Sequence, residues 1–183
     1  MFRLFFRCAM VLGALTMAAH ADQRDSRLPA LFGQLKAAPS SDTAAAIQQR
    51  IWSIWMEAGD PEIDKLMAAG DAAMSAREFP TALDAFNRII KQRPDFAEGW
   101  NRRATLYYLM GEYQKSLDDI DRVLKLEPRH FGALSGRGLV DIKLERMDDA
   151  AKAYERYLEV DPRNEDARQT LEMIDAVLKR KSI

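Results

Sequence analysis

The chain has one cysteine, Cys8, and two histidines, His20 and His130. A lone thiol forms no internal disulfide, and no His pair stands at metal-ligand spacing. There is no Gly-rich phosphate loop and no Gly-x-Ser-x-Gly elbow; Gly132, Gly136 and Gly138 cluster, but on a helical pattern. Carboxylates are plentiful, as in Asp118-Asp119-Ile120-Asp121 and Asp148-Asp149, yet they fall where helices begin or expose a face. Nothing singles out two of them across a cleft, as a glycosidase would need. His130, directly after Pro128-Arg129, reads as a solvated cap residue in a turn. These absences leave no candidate catalytic residue, and no enzyme activity, cofactor or metal is expected.

Acidic residues are also missing from the start, where the first is Asp22. Before it stand Arg3 and Arg7, an apolar run from Cys8 to Ala19, and small residues in Ala19-His20-Ala21. This is the pattern of a secretory signal peptide, with cleavage expected after Ala21. The run is short for a membrane span, which needs roughly 20 apolar residues. An uncleaved N-terminal anchor and mitochondrial import are the alternatives to a secreted or periplasmic location. Removing residues 1–21 takes away the only cysteine and moves the formal net charge from −1 to −3. A chain so close to neutral has no basic excess for nucleic acid or anionic lipid, and its stability must come from packing. With 48% hydrophobic and 30% charged residues, it has the composition of a globular domain.

What is present is a period. Pro94, Pro128 and Pro162 stand 34 residues apart, and each closes a segment that reads as two short amphipathic helices. In register, the fourth position of each unit holds Leu66, Trp100 and Leu134, the eighth Gly70, Ala104 and Gly138, and the twentieth Ala82, Ser116 and Ala150. Large and small residues alternate so that the two helices of a unit can approach closely. Phe79, Tyr113 and Met147, then Phe86, Ile120 and Tyr154, form the stripe of the second helix. Arg77-Glu78, Gly111-Glu112 and Glu145-Arg146 mark the turn inside each unit.

These residues resemble the tetratricopeptide repeat, on the strength of Trp100, Ala104, Tyr107, Tyr113 and Pro128 in the middle unit. The resemblance implies an all-α fold, a right-handed α-solenoid of helix-turn-helix units, here 63–96, 97–130 and 131–164. Where that family has Leu, this chain has Arg103 and Arg137, and a charge between helices needs a partner. Asp119 is the expected one, for Arg103, Arg137 or both. Residues 165–183 read as a capping helix with Leu171, Ile174 and Leu178 inward. Residues 22–62 read as a degenerate unit covering the other open side, with Pro39 ending its first helix and Trp52 and Trp55 packed on the first helix of unit one.

The resemblance also places the binding surface, since the first helices line the concave side. The candidate protein-binding residues are Met67, Asp71 and Met74 from unit one, Asn101, Arg102, Thr105, Tyr108 and Leu109 from unit two, and Leu139, Ile142 and Lys143 from unit three. Gly132 and Gly136 would deepen the groove floor. The family's clamp for a chaperone C-terminal carboxylate is absent, because Met67, Asp71, Arg102, Gly132 and Gly136 occupy its positions. The expected function is non-catalytic binding of a peptide or partner helix; the alternative is a structural subunit that assembles with its own copies.

Overall fold

The computed structural model describes residues 22–181; the expected leader lies outside them. Nine helices and no strand occur among the described residues. They are α1 (Leu28–Lys36), α2 (Ser41–Met56), α3 (Pro61–Ser75), α4 (Phe79–Gln92), α5 (Ala97–Leu109), α6 (Tyr113–Leu126), α7 (Phe131–Lys143), α8 (Met147–Val160) and α9 (Glu165–Lys181).

Local chemistry sets the helix ends. Ser40 caps α2 by accepting from the Thr43 amide at 3.2 Å, and Asp60 caps α3 from just before Pro61, whose fixed φ suits a first turn. Within each repeat the turn between helices is the same hydrogen-bonded motif. The Glu78, Glu112 and Arg146 amides donate to the Ala73, Tyr107 and Asp141 carbonyls at 2.8, 2.9 and 2.8 Å. The residue before each of these donors is left-handed: Gly111 at φ 77°, but also Arg77 at 61° and Glu145 at 58°.

The hairpins α3–α4, α5–α6 and α7–α8 stack in sequence order, and α9 closes the far end on α8. The small residues at the eighth position are what let each hairpin close. A Cβ on Gly70 would overlap the ring of Phe86, and one on Gly138 the ring of Tyr154. At Ala104 the neighbour is Ser116, whose hydroxyl donates to the Ala104 carbonyl at 2.8 Å. Between hairpins, Phe86 and Ile89 of α4 are buried with Leu106 of α5 in one cluster. Each such side chain contributes roughly 1.5–3 kcal/mol by leaving water.

Of the two arginines set among the helices, Arg103 pairs with Asp119 as expected, through two hydrogen bonds of 2.7 and 2.8 Å, and it also donates to Asn87. Arg137 does not share that carboxylate. Both Asp119 oxygens are taken by the Arg103 fork, so Arg137 pairs with Asp121 and, one turn along its own helix, Asp141.

The N-terminal pair is where the structure departs from the expected register. α1 and α2 do not extend the stack beyond α3. They fold back across it, α2 over the concave helices α5 and α7 and α1 against α8. Trp52 and Trp55 therefore pack on Phe131 of the third unit and on His130, which caps its first helix, with ring centroids 4.1–5.8 Å apart, and not on the first helix of unit one. Apolar surface decides this: Leu28, Leu35, Ile51 and Trp55 join Phe131, Leu134, Tyr154 and Tyr157 in a single buried cluster. At the near end, Gln23 Oε1 accepts from the Ala97 amide at 3.2 Å, supplying the cap that Phe96 cannot give α5. Asp22, fully buried, reaches Arg93 beside it. At the other end, Gln48 donates to Asp161 and to the Tyr157 hydroxyl.

Candidate functional site

The concave groove is built from α3, α5 and α7, and α2 divides it into two parts. The near part is filled. Glu98, 1% exposed, accepts from Asn101 Nδ2 at 3.1 and 3.2 Å and faces His130 Nε2 at 3.1 Å. The Ala133 amide donates to His130 Nδ1 at 3.1 Å, so the ring proton sits on Nε2 and is donated to Glu98. His130 is thus a cap residue of α7, as its place in the sequence suggests, but a completely buried one and not a solvated one. Trp55 seals it from above.

Arg102 joins this cluster. Its Nε stands 3.3 Å from both Asp71 and Glu98, Nη2 meets Met56 Sδ at 3.0 Å, and the guanidinium lies over Trp52. Burial pushes the Asp71 carboxyl up from its ordinary value; Arg102 pulls it back, and Glu98 adds to the rise. Asp71, Asn101 and Arg102 were all expected to meet a ligand; instead Asn101 donates to Glu98, Asp71 stands beside Arg102, and Arg102 is covered by Met56 and Trp52 of α2. Met67 is 3% exposed and belongs to the α3–α4 core, and Met74 is half-buried against the same core. Met67 stands three positions before Gly70 and Met74 four after it, so both share its inward stripe more than the groove face.

The far part of the groove is open. Between α5 and α7 lies a pocket of about 280 Å³, with Thr105 and Tyr108 on one wall, Gly136 and Leu139 on the other, Ile120 and Val140 at its floor and Trp52 closing one end. Asn101 and Arg102 reach it at that closed end. Leu109 and Leu139 stand about half exposed, at 52% and 44%. Lys143 is exposed, and Ile142 is partly buried against the cluster that contains α1 and α2. Of the eleven residues expected from the sequence, the structure brings Asn101, Arg102, Thr105, Tyr108 and Leu139 to one pocket. Trp52, Ile120 and Val140 were not expected there. Ile120 and Val140 carry the pattern of core residues, and nothing in the spacing of Trp52 signals that it would arrive from another part of the chain.

A stack of helical hairpins with one concave face makes this an α-solenoid repeat protein. Two family profiles described as tetratricopeptide repeat match residues 67–126 and 112–175, and the chain belongs to that family. It is 43% identical over 90 residues to a TPR repeat-containing protein of Rhizobium etli; the match covers 49% of this chain and 44% of that one, so it spans under half of the relative's length. Among solved structures, the Sgt2 TPR domain from Aspergillus fumigatus superposes with a TM-score of 0.63 at 25% identity, covering 67% of this chain and 83% of that domain. The first TPR of Spaghetti (RPAP3), bound to an HSP90 peptide, gives 0.62 at 24% identity, covering 64% and 94%. Among the described residues, no helix is long and apolar enough to cross a membrane.

Proposed function

We propose that this chain is a non-catalytic protein-interaction module that takes a peptide or helix of a partner into the far half of its groove. The observation that carries the reading is the pocket between α5 and α7, an apolar recess with Leu139 at its edge half exposed to water and Leu109, next to the lining Tyr108 in sequence, likewise half exposed. Apolar side chains gathered in this way mark interaction surfaces, and a partner segment laid in such a groove buries them. That the similarly folded RPAP3 domain is bound to an HSP90 peptide supports the class of ligand. The recognition must differ in detail. Where the family's carboxylate clamp would place its cations and amides, this chain has buried Met67, acidic Asp71 and the glycines of α7.

The location belongs to the same proposal. The basic, acid-free start followed by an apolar run supports export, and the cysteine-free remainder suits an oxidising compartment. Sequencing the N-terminus of protein recovered from the cell envelope should give Asp22 first; protein that keeps its leader would remove this part.

The groove reading is tested by selecting a displayed library of random peptides on the purified protein. Enriched peptides should bind the Tyr108→Ala, Leu139→Ala double variant roughly tenfold or more weakly, the loss expected for two apolar contacts. Peptides that bind both proteins equally would refute it. If no peptide is enriched and the protein sediments as an oligomer that Leu139→Glu dissociates, the groove serves another copy of this chain.

A further inference from the structure

Two glycines one turn apart on α7 face the groove, and their surroundings differ. At Gly132 a Cβ would stand 2.8 Å from Cη2 and Cζ3 of Trp52, so the missing side chain lets the indole edge lie against the helix backbone. At Gly136 the same construction meets only Ile120 Cδ1, at 3.7 Å, an ordinary contact. The first notch is filled by the chain's own tryptophan. The second opens into the pocket of about 280 Å³, which Trp52, seated on Gly132, closes at one end.

We propose that the Gly136 notch receives a tryptophan side chain of a partner peptide, packed beside Trp52; the inference rests on the groove reading above and specifies its anchor. Continuity is the first ground. The pocket prolongs the interface that α2 already makes with α7, and the occupant of the first notch shows what this surface accepts. Size is the second, because the volume lies at the lower edge of the ~300–1,000 Å³ typical of small-molecule sites and suits one large ring. Chemistry is the third. Thr105 and Ser135 give their hydroxyl protons to the Asn101 and Gly132 carbonyls, so both oxygens offer lone pairs to the pocket. Tryptophan combines a ring that matches Tyr108, Ile120 and Leu139 with a single N–H donor for such an oxygen. Because α2 closes the near end, the peptide that carries this side chain must leave over Leu139 and Leu109.

The probe is N-acetyl-tryptophanamide, titrated into the isotope-labelled protein and followed by amide chemical shifts. Shifts should concentrate at Ser135, Gly136, Leu139 and Thr105, and the leucine analogue should bind roughly tenfold more weakly. Gly136→Val should weaken the tryptophan probe by a similar factor. Valine is a better helix former than glycine, so that loss is not an unfolding artefact. Equal binding of the two probes, unchanged affinity in Gly136→Val, or shifts elsewhere would overturn the proposal. Should the peptide library yield groove binders while this probe fails, the anchor alone is wrong. Should the library yield none at the groove, the underlying reading falls.

Discussion

The imidazole of His130 lies flat on the indole of Trp55, with ring centroids 4.1 Å apart and planes 8° from parallel. One ring comes from the cap of α7 and the other from α2, so this contact ties the N-terminal pair to the third repeat. The indole Nε1 is buried and has no hydrogen-bond partner. Trp55→Ala should therefore cost roughly 3–5 kcal/mol in urea unfolding. Trp55→Phe, which keeps a ring over His130 and removes the unpaired donor, should cost less than about 1.5 kcal/mol. Equal costs would mean that a phenyl ring over His130 recovers none of the lost contact.

Gly132 and Gly136 give opposite expectations for the same substitution. Gly136→Ala gains about 1 kcal/mol of helix propensity with room for the methyl group. Gly132→Ala gains as much but drives its methyl into Trp52, a clash worth roughly 1–3 kcal/mol. The first variant should be more stable than wild type and the second no more stable, with a shifted tryptophan emission because Trp52 is displaced. Parallel changes in both would show that Trp52 does not rest on Gly132.

Arg77 and Glu145 occupy the left-handed position that Gly111 fills in the middle unit. A non-glycine residue there carries strain of roughly 1–2 kcal/mol, partly offset by the chain freedom it loses less of on folding. Arg77→Gly and Glu145→Gly should each raise stability by up to about 1 kcal/mol, and the two should add, since the turns share no partner. Gly111→Ala should lower it. Thermal unfolding of the three variants settles the order.

Asp71, which is half-buried, and the buried Asp119, Asp141 and Asp161 are all pushed above the ordinary value of 3.8, chiefly by desolvation. Each binds its proton more tightly folded than unfolded, so stability increases as pH falls from above the raised values toward 3.8. Asp25, Asp95 and Asp149 are lowered, mainly through hydrogen bonds to Arg27, Arg93 and Lys152 with burial opposing, and the stability they contribute is lost below that value. The urea midpoint should pass through a maximum on the acid side of neutrality. Asp71→Asn should flatten the rise from neutral pH, and an unchanged profile would show that Asp71 titrates as if exposed.

The groove illustrates how far a sequence can be read. Tyr108, Thr105 and Leu139 were legible because the resemblance to the tetratricopeptide repeat assigns their positions to the concave face of the first helices. Asn101 and Arg102 share that face, yet Glu98 takes the Asn101 amide, and Glu98 and Asp71 flank the Arg102 guanidinium. Spacing reports direction and does not report what else arrives. The same limit applies to Arg137: both Asp119 and Asp121 lie on the neighbouring helix, and only the prior claim of Arg103 on Asp119 decides between them.

Everything that depends on neighbouring turns and neighbouring units was determined by the sequence itself. The hairpins, their turns, the large-against-small closure at Gly70 and Gly138, and the order of the stack all repeat at one period, and each contact lies within one or two units. The place of α1 and α2 was not so determined. Their apolar stripe would satisfy the end of the stack or its concave side equally well as a pattern. Only in three dimensions does Phe131, with Gly132 beside it, offer Trp52 and Trp55 a surface that buries both rings. That choice hides His130, closes one end of the groove and leaves the pocket at Gly136 as the part still open to a partner.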